Sequence, residues 1–363
     1  MKVVSIGRES AADRGTDDAQ AALTAATPSP PPSPDGSAEV HAAALAEVRR
    51  LLAAWVTHEP GARSGSDPEE LHQLRVTARR LDATLSLFKQ YLPAPLLRAR
   101  KTAKSLLRSL GATRDLDVQL AGLSAYCEAL SEEERRALEP LKERLAHERE
   151  RARARMLRAL DSVATRRWLQ LLATATEAPA ATDTAAGAVT VAAVMPPRVR
   201  RRFRRLRKAV RRLRADSSMD DYHKVRRRAK QLRYALESGA FMAGKPAEEM
   251  LKALRRMQDK LGAQQDAFMA RTHLSALAAD PACALPPATL FLMGKLAEHH
   301  ARVTAETRAT VTRSWRKVRG RRWKALRARL GEFEQQARDT RDPPSAPPAL
   351  LGAPGGGAAT RPH

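Results

Sequence analysis

Two short segments of the chain carry a histidine followed, three and seven positions later, by basic residues. These residues are His72, Arg75 and Arg79 in the first segment and His223, Arg226 and Lys230 in the second. On a helix each trio lies within about 60° of arc and forms one cationic face. Guanidinium groups bind phosphate oxygens through paired hydrogen bonds, lysine adds a compact charge, and imidazole donates to the same oxygens. The spacing therefore predicts two anion-binding faces, whose histidines donate more strongly when protonated at mildly acidic pH.

The two segments are copies of each other at a fixed offset of 151 residues. Residues 72–81 return as residues 223–232, and residues 110–115, which begin Leu-Gly-Ala and end in Asp, return as residues 261–266. Because both motifs keep one spacing, we infer an internal duplication. The face opposite the basic residues is apolar in both copies and is expected to lie in the core. Its members are Leu74, Ala78, Leu81, Leu85 and Phe88 in the first copy and Val225, Ala229, Leu232 and Leu236 in the second.

A second basic stripe precedes each Leu-Gly pair. Its members are Lys101, Lys104 and Arg108 in the first copy and Lys252, Arg255 and Arg256 in the second. We expect Gly111 and Gly262 to end their helices, and Asp115 and Asp266 to cap the turns that follow. A basic stripe is usually only the solvated face of a helix. Here we favour an anion site, because the stripes at residues 72–80 and 223–233 lack the glutamates that support a solvated face.

Residues suited to other chemistry are few and isolated. Cys127 and Cys283 fall at unrelated places in the two copies, and free thiols in a reducing compartment are expected. The His299-His300 pair has no third ligand at a suitable spacing, so no metal site is predicted. Paired carboxylates for Mg²⁺, a glycine-rich phosphate loop and a nucleophile–base pair are not recognisable. The sequence therefore predicts neither catalysis nor a cofactor.

Composition divides the chain into a basic body and two tails. The net charge of +25, from 65 basic and 40 acidic residues, favours an anionic partner. The tails are rich in Pro, Ala and Gly and are expected to be disordered, whereas the body is helical in pattern and is predicted to be all-α. The predicted parts are the tail 1–38, a first half 39–174, a linker 175–196, a second half 197–335 and the tail 336–363.

Two further segments combine an apolar seam with a strongly basic outer face. In residues 198–214 eleven of seventeen residues are Arg or Lys and none is acidic. Residues 313–329 are similar, with Trp315 and Trp323 interleaved among the basic residues. Such helices suit DNA, polyphosphate or an anionic membrane surface equally. The longest apolar stretch, residues 185–195, is far shorter than the roughly 20 residues of a membrane helix, so a cytoplasmic protein without a membrane span is expected.

The duplicated pattern resembles the CHAD domain, the conserved histidine α-helical domain. The pattern is His-x-x-Arg-x-x-x-Arg/Lys-x-Leu followed by Leu-Gly-x-x-x-Asp, and the resemblance covers residues 39–335. It implies two pseudo-symmetric four-helix bundles, with basic side chains lining a central channel. It also implies binding of inorganic polyphosphate and association with polyphosphate granules. The Pro-rich N-terminal segment does not resemble the triphosphate-tunnel domain that many relatives carry, so a stand-alone CHAD protein is expected.

The resemblance also carries a ligand set over to this chain. The candidate polyphosphate ligands are His72, Arg75, Arg79, Lys101, Lys104 and Arg108 in the first half, and His223, Arg226, Lys230, Arg233, Lys252 and Arg255 in the second. The chain departs from the family's pattern at Asp82, where a third basic residue is usual and where the second copy keeps Arg233. The first half is expected to bind more weakly at that point.

The leading hypothesis is a non-catalytic polyphosphate-binding module. The alternative is weak, nonspecific binding of duplex DNA through the phosphate contacts of residues 198–214. Proteins that bind single strands stack bases on aromatic rings, and an aromatic content of 4% argues against that mode. A polyphosphate hydrolase is a third and less favoured hypothesis, because no metal site is recognisable.

Overall fold

The protein is helical throughout the part that the structure describes. A computed structural model describes residues 39–98, 100–177, 189–214, 216–238 and 240–339. Within these ranges the only β-type pairing is an isolated bridge between Glu39 and Thr190. The predicted all-α fold is confirmed. The predicted tail 1–38, residues 340–363 of the predicted tail 336–363 and residues 178–188 of the predicted linker 175–196 lie outside the described residues. Residues 336–339 of that tail and residues 175–177 and 191–196 of that linker are helical.

The helices fall into two consecutive sets. The first set is α1 (Val40–Ser64), α2 (Pro68–Leu87), α3 (Ala94–Arg98), α4 (Arg100–Cys127), α5 (Glu132–Asp161) and α6 (Val163–Glu177). The second set is α7 (Val191–Arg211), α8 (Met219–Glu237), α9 (Ala240–Ala279), α10 (Pro287–Arg319) and α11 (Arg321–Asp339). Helix α9 is kinked at Gly244, where φ is 48°. The basic segment 313–329 is split at Gly320, and α11 continues past the predicted end of the body at residue 335.

Local sequence signals set the start of each motif helix. The Asp67 carboxylate accepts a hydrogen bond of 2.8 Å from the Glu69 backbone N–H, and Pro68 occupies the first helical position of α2. Ser218 caps α8 in the same way. Helices α2 and α8 begin 151 residues apart, as do α1 and α7. The offset that relates the two sequence motifs therefore also relates the helix starts.

Buried apolar side chains from both halves form one continuous cluster. All the predicted core positions of the two motif helices belong to it: Leu74, Ala78, Leu81, Leu85, Phe88, Val225, Ala229, Leu232 and Leu236. A second cluster joins α4 and α5 of the first half to α9 and α10 of the second, through residues such as Leu141 and Leu296. The two halves therefore share their cores, which fixes the motif helices relative to each other. The symmetric two-bundle arrangement stays a prediction.

The expectation that Gly111 and Gly262 end their helices is wrong. Helices α4 and α9 continue through these glycines, and neither residue has a positive φ. A glycine inside a helix costs only about 1 kcal/mol relative to alanine, which the surrounding packing offsets. Asp115 and Asp266 consequently lie within continuous helices and do not cap new ones.

Candidate anion-binding site

The two motif helices pack against each other, so basic side chains of the two copies meet. Helix α2 contacts α8, and the charges interact across this contact. Burial lowers the pKa of Arg75, and repulsion from Arg226 lowers it further. Burial likewise lowers the pKa of Arg226, and repulsion from Arg79 adds to this effect. These side chains are half-buried. We call this group of five residues the central cluster: His72, Arg75, Arg79, Arg226 and Lys230.

Lys230 shows how strongly the central cluster concentrates positive charge. Its pKa is lowered from 10.5 to about 5, first by burial and then by the neighbouring guanidinium groups of Arg79 and Arg226. The same two causes, burial followed by nearby charges, lower the pKa of Arg79. Because an arginine stays protonated under all ordinary conditions, Lys230 is the group that gives up its proton.

The histidine of the first copy is also held in its neutral form. The pKa of His72 is lowered to about 4, mainly by burial and next by the positive charge of Arg114. At mildly acidic pH this imidazole is therefore neutral in the free protein. A bound anion would favour the charged form and raise the pKa again. The corresponding histidine of the second copy, His223, is exposed.

An arginine of the same copy contacts each Leu-Gly-x-x-x-Asp motif. The Nη1 atom of Arg75 lies 3.2 Å from Oδ1 of Asp115. A Cβ atom at Gly111 would lie 3.7 Å from Nη2 of Arg75, and a Cβ atom at Gly262 would lie 3.7 Å from Nη2 of Arg226. The guanidinium groups therefore lie against the helices at these glycines, at a distance that leaves room for a Cβ atom but not for a large side chain. The aspartate follows four residues later on the same helical face.

The aspartate of the second copy approaches that of the first. The pKa of Asp266 is raised, first by burial and then by repulsion from Asp115, while the attraction of Arg226 opposes these effects. Both aspartates are nevertheless accessible to water. In the described part of the chain, the buried Nε atoms of Arg75 and Arg226 have no hydrogen-bond acceptor. The central cluster thus keeps donors that are not used within the protein.

Arg233, a predicted ligand, instead joins an ion-pair network around Glu237. The Glu237 carboxylate lies 3.6 Å from Nε of Arg233, 3.6 Å from Nη2 of Arg80 and 3.8 Å from Nη2 of Arg255. Burial is the largest single effect and lowers the pKa of Arg233, but attraction to Glu237, Tyr234 and Asp259 together outweighs it, so the pKa is raised. Since Arg80 belongs to α2, this network links the two halves. Sequence reasoning missed Arg80 and Glu237, and the only signal was an acid at the end of a basic helix.

The remaining predicted ligands are not among the half-buried side chains of the central cluster. Lys104, Arg108, His223 and Lys252 are exposed, and the side chain of Lys101 lies outside the described residues. Lys104 and Arg108 share a face of α4 with Gly111 and Asp115, so they extend the positive surface along that helix. Asp82, which departs from the family's pattern, is neutralised locally by Arg100 at 2.8 Å.

Other candidate chemistry is sparse in the part of the chain that the structure describes. No group of three or more His, Cys, Asp or Glu residues there could hold a metal ion. None of the helices there combines the length and apolar character needed to cross a bilayer. Cys127 and Cys283 are free thiols, as predicted.

The fold and the central cluster are those of a helical protein built around a repeated cationic motif. The family model of the CHAD domain matches residues 46–275. The chain therefore belongs to the CHAD domain family, which is associated in general with polyphosphate binding.

Solved structures agree with this assignment. The crystal structure of the CHAD domain from the plant Ricinus communis matches with a TM-score of 0.57 and 26% sequence identity, over 82% of this chain and 93% of that chain. PptA from Streptomyces chartreusis matches with a TM-score of 0.59 over 77% of this chain and 100% of that chain. At 19% identity, the second likeness concerns the fold alone. No curated protein matches the chain.

Proposed function

We propose that the protein binds inorganic polyphosphate at the central cluster, without hydrolysing it. The observation that carries this proposal is that half-buried cations from both motif copies lie close together. Burial and the repulsion between them lower the pKa of Lys230 to about 5. Such a group is repulsive in the free protein. An anion placed between α2 and α8 would remove the repulsion and accept hydrogen bonds from donors that the protein leaves unused, such as Nε of Arg75.

The burial of the central cluster favours polyphosphate over duplex DNA as the ligand. The guanidinium groups of Arg75 and Arg226 are half-buried between helices. A thin, flexible chain of phosphates can thread into such a space, whereas a duplex presents its phosphates on a broad, rigid surface. Exposed residues along α4, such as Lys104 and Arg108, offer contacts for further phosphates of the same chain. Binding should therefore be multivalent and should weaken steeply with salt.

The proposal is tested by competition between long-chain polyphosphate and duplex DNA of equal phosphate content at near-physiological salt. We expect polyphosphate to bind preferentially, and the double variant Arg75→Gln/Arg226→Gln to lose this preference. The control is Arg155→Gln/Arg167→Gln, which removes the same charge from two exposed arginines of α5 and α6. Equal binding of both polymers, with equal effects of the two double variants, would refute a site at the central cluster.

Two further measurements test catalysis and location. Incubation of polyphosphate with the protein and Mg²⁺ or Mn²⁺ should release no orthophosphate, and release above a protein-free control would contradict the binding-only proposal. In cells, we expect a fluorescent fusion to collect on cytoplasmic polyphosphate granules and to disperse in a strain that cannot make the polymer. Granules that form without recruiting the fusion would contradict this location.

A further inference from the structure

A cavity of about 460 Å³ lies between α7 and α11 and shares no residue with the central cluster. Four arginines and two aromatic rings line it: Arg200, Arg204, Arg207, Arg327, Phe203 and Trp323. Its volume falls within the range of about 300–1,000 Å³ that is common for small-molecule sites. A cavity that combines rings with guanidinium groups is suited to a ligand that is both planar and anionic.

The two rings that line the cavity belong to a cluster of three rings. Phe203 lies parallel to Trp323, with ring centroids 3.6 Å apart, and it also contacts Trp315 at 5.6 Å. Phe203 and Trp315 are buried, whereas Trp323 is only half-buried. Within the described part of the chain, Trp323 has no ring or cation partner besides Phe203. One face of the indole is therefore covered by Phe203, and the part of the ring that is not buried lines the cavity.

The guanidinium groups beside this stack are largely uncommitted. Arg200 forms an ion pair with Glu334. Arg204, Arg207 and Arg327 are exposed and have no ion pair or hydrogen bond with any described residue. Three cations without acidic partners around one cavity repel each other, so an anion would stabilise them.

We propose that this cavity binds a nucleotide, with the base stacked on Trp323 and the phosphates held by Arg204, Arg207 and Arg327. Stacking of one base on an aromatic side chain strengthens binding by about 5- to 150-fold. Polyphosphate has no ring and leaves the aromatic wall unused, so this site differs in chemistry from the central cluster. The aromatic content of the whole chain is low, but three of its rings are concentrated here between two basic helices.

The test compares ATP with tripolyphosphate, which lacks the base, and with adenosine, which lacks the phosphates. Binding is followed by tryptophan fluorescence in the full chain carrying Arg75→Gln/Arg226→Gln, which removes the central cluster as a competing site. We expect ATP to quench the fluorescence and to bind at least about fivefold more tightly than tripolyphosphate, from the loss of one stacked base. Adenosine should bind most weakly. Equal affinity for ATP and tripolyphosphate without quenching would overturn the proposal, whatever the fate of polyphosphate binding.

Variants locate the site. Trp323→Leu should abolish the advantage of ATP over tripolyphosphate, and Arg207→Gln should weaken ATP binding severalfold. The control, Arg201→Gln, removes the same charge from an exposed position of α7 that does not line the cavity. Because Arg207 is exposed, its replacement reports on binding even if Trp323→Leu impairs folding. Equal effects of Arg207→Gln and Arg201→Gln would show a diffuse charge effect and would overturn the proposal.

A nucleotide unit can be a free molecule or part of a single strand, and a competition experiment separates the two sources. Displacement of ATP by an eight-residue oligodeoxythymidylate, sensitive to Trp323→Leu, assigns the site to nucleic-acid strands. Retention of ATP in the presence of the oligonucleotide assigns it to free nucleotides. Both results support recognition of a base with its phosphate.

Discussion

Replacing Lys230 by methionine should stabilise the free protein while weakening its binding of polyphosphate. Lys230 is half-buried among the guanidinium groups of the central cluster, and its pKa is lowered from 10.5 to about 5. Methionine keeps the length and much of the volume of the side chain but carries no charge. The change therefore removes the cost of taking the proton from Lys230 on folding, and it also removes a group that would become a cation when a polyanion binds.

The size of the stabilisation by Lys230→Met and its dependence on pH follow from the lowered pKa of Lys230. Between pH 5 and pH 10.5 the unfolded chain holds a proton on Lys230 that the folded protein does not, so this lysine opposes folding more strongly as the pH falls through that range. At pH 7 the penalty has an upper bound of about 5 kcal/mol, at about 1.4 kcal/mol per pKa unit. The stability advantage of Lys230→Met should shrink by up to about 4 kcal/mol between pH 5.5 and pH 8.5.

Urea denaturation across this pH range, in chloride buffers free of phosphate and sulfate, measures the advantage. The control is Lys252→Met, which changes an exposed lysine and should alter the free energy of unfolding by no more than about 0.5 kcal/mol at every pH. A stability difference between Lys230→Met and the parent that does not change with pH would refute the reasoning. So would a variant less stable than the parent throughout.

Three further outcomes are expected. Binding of polyphosphate should raise the pKa of Lys230, so that the complex takes up close to one proton at pH 7. Calorimetry in buffers of different ionisation enthalpy should show this proton uptake. The affinity for polyphosphate should consequently fall as the pH rises. Gly111→Ala should keep polyphosphate affinity and raise the free energy of unfolding by about 0.5–1 kcal/mol, whereas Gly111→Leu should displace Arg75 and weaken binding; equal binding by both would contradict the close approach. Glu237→Gln should destabilise the fold by about 1–3 kcal/mol, because it removes the carboxylate that Arg80, Arg233 and Arg255 share, yet should not weaken polyphosphate binding. Denaturation and titration of one preparation separate the two effects.

Local features of the chain were predictable from the sequence because they depend on neighbouring residues. The helix start at Asp67-Pro68 follows from capping chemistry. The buried faces that contain Leu74 and Val225 follow from helical periodicity. The basic faces follow from the same periodicity, and the duplicated motif identifies the family. These inferences need only a helix and a period of 3.6 residues.

The role of the Leu-Gly motif could not be predicted in this way. Gly111 looks like a helix breaker in one dimension, but in the fold it is the place where Arg75 rests against α4. Similarly, Arg233 looks like a free ligand, but Glu237 binds it together with Arg80 from the other half. The contacts of Arg75 with α4 and of Arg80 with Glu237 join different helices, whereas Arg233 and Glu237 are four residues apart on α8 and only the arrival of Arg80 from the other half needs the fold.

The sequence by itself determined the helical class, the core faces, the duplication and the excess of positive charge. Only the tertiary structure decided which of those charges meet. It places Arg79 of α2 near Lys230 of α8, and it leaves Lys104 and Lys252 in solvent. The physical reason is that periodicity assigns a residue to a face of its own helix, whereas burial and repulsion depend on the helix that packs against that face.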